Sequence, residues 1–262
     1  MTTLDIKVEM EKLQTQYKAT AQNRTFNALI YGSMGTGKTK IMETCRRPVF
    51  DMSFDPGGSK TVRDTIEAGW IIVDNQYEFE DPFHPSVFQQ WDSEYHRYKK
   101  GGMFDSIGTL VIDSATTWSA AAMNWVLKKA GRAGSQPFQN DYLPAMILIE
   151  NAVKDMTALP CDVILLAHDT ADKDEATGKM FISPDFVGKL KTRIPILFDE
   201  IYYAHTKETS SGVSYQLLTQ STGLIKARSR LGSNGRFQMY EPQDIKALLR
   251  KAGFSTEDRV IV

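Results

Sequence analysis

The 262-residue sequence predicts an α/β protein, with a mainly parallel central sheet flanked by helices and a C-terminal antiparallel extension. Short continuous apolar runs alternate with amphipathic stretches of helical period, the pattern of strands buried on both faces. A glycine-rich segment stands between the first such run and the stretch that follows it. Past residue 198 the pattern changes to short strands separated by turn residues.

The elements follow in order. Leu4 to Ala19 reads as a short polar helix, and "TFNALIY" as a buried strand that runs into "GSMGTG" and then a helix, "KTKIMETC". "RPVFDMSFD", Arg47 to Asp55, is a second strand, broken by Pro56-Gly57-Gly58. "SKTVRDTIEAG" is a helix, "WIIVDN" a third strand, and "PSVFQQWDSEYHRYKK" a helix ending at Gly101-Gly102. "IGTLVIDS" is an apolar strand closing on a carboxylate, followed by the amphipathic helix "TTWSAAAMNWVLKKA". A polar loop, "GRAGSQPFQND", leads to the helix "YLPAMILIENAVKDMTAL" and the buried strand "CDVILLAH". "FDEIYYAHT", "VSYQLLT" and "GLIKARS" supply the antiparallel extension, and "PQDIKALLRKAG" a last helix. Residues 1–25 read as an N-terminal helical extension, 26–254 as one core and 255–262 as a tail.

With 31 basic and 32 acidic residues, net charge −1, the chain is not a globally basic nucleic-acid coat. Its two cysteines, Cys45 and Cys161, suggest neither a disulfide framework nor a zinc site, and a reducing cytoplasm is the simple expectation. No apolar run is long enough to span a bilayer as a helix, so a soluble protein is expected.

Gly32, Gly37, Lys38 and Thr39 satisfy G-x-x-x-x-G-K-[ST]. In that motif the backbone amides from Gly32 through Ser33, Met34, Gly35, Thr36 and Gly37 cradle phosphates, the lysine reaches the outer ones and the Thr39 hydroxyl binds magnesium. The chemistry points to ATP with Mg2+. Asp113 closes an apolar strand, where a carboxylate can hold the magnesium hydration shell, or can instead cap the next helix. Hydrolysis also needs a group that orients water. Asp51 and Asp55 are the candidates, with Asp55 preferred at the strand end, although a residue before Pro-Gly-Gly can also simply start a turn. His168 ends "VILLAH", where a polar side chain can sense an outer phosphate. Lys226, Arg228 and Arg230 alternate, so they can share one face of a strand.

With "GSMGTGKT", "TLVIDS", "VILLAH", "FVGKLKTRIPILFDEIYY" and "IKARSR", the chain resembles the RecA-like core ATPases of bacteriophages, the nucleotide-binding or single-strand-annealing recombinases. The resemblance runs from about Asn27 to Phe254. It implies DNA-stimulated ATP hydrolysis in a ring or filament, with Lys226 and Arg228 reaching a neighbour's nucleotide as an arginine finger does. It also implies that two loops contact single-stranded DNA. One carries Arg132 and Phe138; the other, "DTADKDEATGKMFISPDFVGKLKTR", carries Lys179, Phe181, Phe186, Lys189, Lys191 and Arg193. Cations mixed with aromatics suit phosphate pairing and base stacking, whereas Asp169, Asp172, Asp174 and Glu175 at the start of the second loop oppose it. A phage single-stranded-DNA-binding protein is a further implied partner. The chain departs from the bacterial recombinases where Asp51, Ser53 and Asp55 stand in place of a catalytic glutamate. Annealing or strand exchange is the leading expectation, with a hexameric DNA-translocating motor or helicase accessory ATPase, or a nucleotide-gated scaffold with little turnover, as alternatives. A guanine-specific switch is disfavoured because no Asn-Lys-x-Asp segment occurs.

Overall fold

The structure, a computed structural model, describes residues 5–19, 25–173, 178–210 and 212–260. In chain order the first elements are α1 (Ile6–Ala19), β1 (Asn27–Tyr31), β2 (Val49–Ser53), α2 (Arg63–Glu67), β3 (Ile71–Asp74), α3 (Val87–Lys100) and α4 (Met103–Ser106). They are followed by β4 (Thr109–Asp113), α5 (Ala115–Lys129), α6 (Gln139–Thr157), β5 (Asp162–Ala167), β6 (Asp169–Lys173), β7 (Met180–Pro184) and α7 (Leu190–Arg193). The last are β8 (Glu200–Thr209), β9 (Gly212–Leu218), β10 (Arg228–Ser229), β11 (Tyr240–Pro242) and α8 (Ile245–Ala252).

The main sheet runs β11-β9-β8-β1-β5-β4-β2-β3, with β10 beside β8. Strands β3, β2, β4, β5, β1 and β8 are parallel, and β9, β10 and β11 add antiparallel pairs at the β8 side. The parallel part places its carboxyl ends on one crest, because Tyr31 pairs with Ala167, Leu166 with Asp113, and Asp113 with Ser53.

Two apolar layers clamp the sheet. Trp91 and Trp118, both fully buried with ring centroids 4.9 Å apart, anchor the layer formed with α3, α5 and α6. Emptying either large aromatic site costs about 3–5 kcal/mol. Ile41, Met42, Leu248 and Leu249 cover the other face. The buried Asp162 carboxylate pairs with Arg46 and accepts from the Phe26 amide at 2.7 Å, tying the entry of β1 to β5. The tail segment 255–260 is fastened to this core, since Arg259 donates to the carbonyls of Phe104, Asp105 and Pro160.

Some expected elements fold differently. "KTKIMETC" forms only a six-residue 3-10 helix, Thr39–Thr44, because the Arg46–Asp162 pair and Pro48 stop it after two turns. "SKTVRDTIEAG" splits into a 3-10 turn, Gly58–Val62, and α2. The long loop after His168 is largely a hairpin, β6–β7, followed by α7. "LIKARSR" pairs with β8 for two residues only, besides a single bridge from Ile225 to Ile182, because the buried Glu200 carboxylate accepts from the amides of Arg230 and Leu231 and turns the chain away. Asp174 and Glu175, like Leu4, lie outside the described residues. Among the described residues no helix is long and apolar enough to cross a membrane.

Candidate functional site

At the end of β1 the backbone demands glycine. A Cβ on Gly32 would lie 2.3 Å from the Ala204 carbonyl oxygen. Gly35 and Gly37 have φ of +79° and +83°, conformations that side chains oppose. Lys38 Nζ donates to the carbonyls of Gly32 at 2.6 Å and Ser33 at 2.8 Å. Burial lowers the Lys38 ammonium pKa, against the attraction of Asp113, Asp169 and Asp55. The loop is braced from outside as well, since Ser33 Oγ donates to Asp169 Oδ2 at 2.8 Å and the Tyr203 hydroxyl donates to the same oxygen at 3.1 Å.

Thr39 Oγ1 donates to Asp113 Oδ2 at 2.7 Å, so the two groups expected at magnesium are adjacent. Burial pushes the Asp113 carboxyl up to about 6, with the Thr39 hydrogen bond opposing it. Helix capping falls to the next residue: the Ser114 hydroxyl accepts from the Thr117 amide at 3.3 Å, leaving Asp113 for other work. A hydroxyl and a carboxylate are the hard oxygen donors that magnesium takes. Among the described residues no group of three or more His, Cys, Asp or Glu side chains forms a metal cage.

Asp55 lies just beyond β2. Its Oδ1 accepts from Ser114 Oγ at 2.9 Å and Thr117 Oγ1 at 2.5 Å, and its Oδ2 faces His168 Nε2 at 3.0 Å. Burial raises the carboxyl pKa, but hydrogen bonds from His168, Thr117 and Ser114 outweigh it and hold Asp55 low. The same bond raises His168 above its ordinary value, against partial burial. When His168 is protonated the two groups form an ion pair on the crest. Asp51 is not brought to it. That residue sits in mid-strand, 1% exposed, and neither carboxylate oxygen has a hydrogen-bond partner. Burial, then repulsion from Asp113, Glu78 and Asp55, raises the Asp51 carboxyl well above its ordinary value, which favours the neutral form in the fold.

Lys38, Thr39, Asp55, Asp113 and His168 line one cleft of about 660 Å³, together with Met34, Gly35, Thr36 and Gly37. The volume suits a small-molecule ligand. Tyr215 and Gln243 also line it, and neither is marked in the sequence, because β9 and the turn after β11 reach the loop only through tertiary structure. Glu78 is a third residue without a sequence signal. Its carboxylate accepts from Ser53 Oγ at 2.8 Å and the Gly57 amide at 3.2 Å, fixing the turn that presents Asp55.

The remaining expected residues lie elsewhere. Arg132 pairs with Asp141 and stacks on Phe138, which is 64% exposed. Lys179 is exposed, Phe181 lies under Lys226 Nζ at 5.3 Å, and Lys189 immediately precedes α7. Lys191 pairs with Asp172, and Arg193 with Glu150 at 2.7 Å, which cancels part of their charge. Phe186 is a correction to the expected stacking set, because it is 5% exposed and packs in the core. Arg228 donates to the carbonyls of Phe198 at 2.5 Å and Pro195 at 3.1 Å, so its guanidinium is held within its own chain.

One strand, β5, separates the phosphate-loop strand from the Asp113 strand, and the crest gathers the phosphate loop, the Thr39–Asp113 pair and the carboxylate–histidine pair. This combination defines a RecA-like P-loop NTPase fold. More narrowly, the chain belongs to the AAA domain family (AAA_24), whose model matches residues 24–231. None of the curated proteins compared matches it. Among solved structures it is similar to the flagellar accessory protein FlaH of Methanocaldococcus jannaschii, at 12% identity over 84% of this chain and 87% of that one, TM-score 0.45. It is also similar to a KaiC-like protein of Pyrococcus horikoshii OT3, at 12% identity over 79% and 82%, TM-score 0.42. At these scores neither carries the assignment, which stands on the strand order, the motif and the family match.

Proposed function

We propose that the chain is an oligomeric, Mg2+-dependent ATPase that binds single-stranded DNA and promotes annealing or strand exchange in phage recombination. The observation that carries the nucleotide part is the convergence of Lys38, the Thr39–Asp113 pair and the Asp55–His168 pair in one cleft. Thr39 and Asp113 would hold the cation, and the amides of Gly32 to Thr39 the phosphates. Magnesium, when bound, neutralises phosphate oxygens. Asp55 has used three of the roughly four acceptor positions of a carboxylate, leaving room on Oδ2 to orient a water. Its low basicity favours slow turnover.

Support for the DNA part comes from position. His168 leads directly into the β6–β7 hairpin, whose neighbourhood holds Lys179, Phe181 and Lys226. Charge state at the crest can thus bias the hairpin. The Lys226–Arg228 segment as a trans-acting finger requires Arg228 to leave the Pro195 and Phe198 carbonyls when subunits assemble. The test is ATPase activity with and without single-stranded DNA at two salt concentrations. Stimulation that weakens with salt is expected; hydrolysis indifferent to DNA, with no salt-sensitive binding, refutes the DNA part.

A further inference from the structure

Two residues lining the cleft, Tyr215 and Gln243, belong neither to the phosphate loop nor to the Thr39–Asp113 pair. Resting on the nucleotide reading above, we propose that Gln243 selects an adenine base and that Tyr215 supplies its stacking surface. The direction of the ligand follows from strand order. Asp113, Asp55 and His168 mark the outer-phosphate end, on the β5, β4 and β2 side of β1. A nucleotide running back from there along the loop carries its base toward β8, β9 and β11, where Tyr215 of β9 and Gln243 after β11 face the cleft.

The orientation of the Gln243 amide is fixed by its partners. Nε2 donates to the Thr36 carbonyl at 2.7 Å and the Gln216 carbonyl at 3.2 Å. Both partners can only accept, so a flipped amide would set oxygen against oxygen. Oε1 therefore remains an acceptor, and it faces the loop: a Cβ on Gly37 would meet it at 2.8 Å. The Tyr215 ring approaches the same point, its Cδ1 also 2.8 Å from that Cβ, and 48% of the residue is exposed. An acceptor with no donor among the described residues, beside a half-exposed aromatic ring, matches the 6-amino group of adenine and opposes the 6-oxo group of guanine. Stacking tolerates any base, so discrimination falls to Gln243.

Equilibrium binding of ATP, GTP, purine riboside triphosphate (which lacks the 6-amino group) and inorganic tripolyphosphate to the full chain tests this. Wild type is expected to bind ATP about five-fold or more tightly than purine riboside triphosphate, the scale of one net hydrogen bond. Gln243→Ala should equalise the two while leaving tripolyphosphate unchanged, and Tyr215→Ala should weaken the three nucleotides together. Equal binding of ATP and purine riboside triphosphate by wild type overturns the assignment alone. So does a Gln243→Ala chain that loses tripolyphosphate in step with ATP, since Gln243 would then only brace Thr36. No binding of any of the four removes the nucleotide reading with it.

Discussion

Asp51 and Asp55 leave the same strand four residues apart, and the fold treats them oppositely. Mid-strand, Asp51 is buried near other carboxylates with no hydrogen-bond partner among the described residues, which favours its protonated form. On the crest, Asp55 meets two hydroxyls and an imidazole and stays ionised. Within a parallel sheet, charge is stable only where strands end, because there loops and helix starts offer donors that the interior lacks. The crest can therefore do chemistry and the interior cannot. Lys38→Ala probes the crest most severely: nucleotide turnover should fall more than about 100-fold, the scale of a lost transition-state donor, with folding by circular dichroism retained. An unchanged rate would place the site elsewhere.

Asp55→Asn tests whether the crest carboxylate matters to turnover. It keeps size but removes the charge that His168 pairs with. A loss of about 100-fold in kcat with little change in nucleotide affinity is expected, the range of acid–base and positioning groups. A kcat matching wild type would reduce Asp55 to a turn former.

How much of this contrast is legible in the sequence depends on range. The phosphate loop, Asp113 and His168 are local signals, each a strand followed by a polar residue, and the parallel register brings those ends together. Which aspartate of "FDMSFD" faces the crest is not local. It depends on where β2 stops, and that is set by Glu78 gripping Ser53 and Gly57 from 25 and 21 residues away. The β6–β7 hairpin was hidden by its polar composition, and Tyr215 and Gln243 by the distant return of β9 and β11. "LIKARSR" alternates as a strand should, yet Glu200 competes for its amides and wins.

Asp51→Asn sharpens the interior side. The folded state holds a proton that the unfolded chain releases above about pH 3.9, so wild-type stability should fall as pH rises from there toward the raised folded pKa. Asparagine cannot ionise, so the variant should lose that slope. It should be more stable at neutral pH by on the order of 1 kcal/mol, measured by urea denaturation. A variant less stable than wild type at pH 7 would mean that Asp51 has a partner in solution and that the interior does tolerate charge.

The smallest expected effect tests the crest pair itself. His168 is 41% exposed and Asp55 25% at their side chains, so solvent screens the pair, and His168→Gln should cost only about 0.5 kcal/mol. Its pH dependence is more telling than its size. A histidine with a raised folded pKa contributes fully below its unfolded value near 6.5, and that contribution is lost as pH rises through the folded value. An aspartate with a lowered folded pKa contributes above about 3.9 and loses that as pH falls. The gap between wild type and His168→Gln should therefore be widest between about pH 4 and 6.5 and close at higher pH. A gap that stays constant to pH 9 would show that His168 acts there by shape and neutral hydrogen bonding, and charge pairing would no longer separate the crest from the interior.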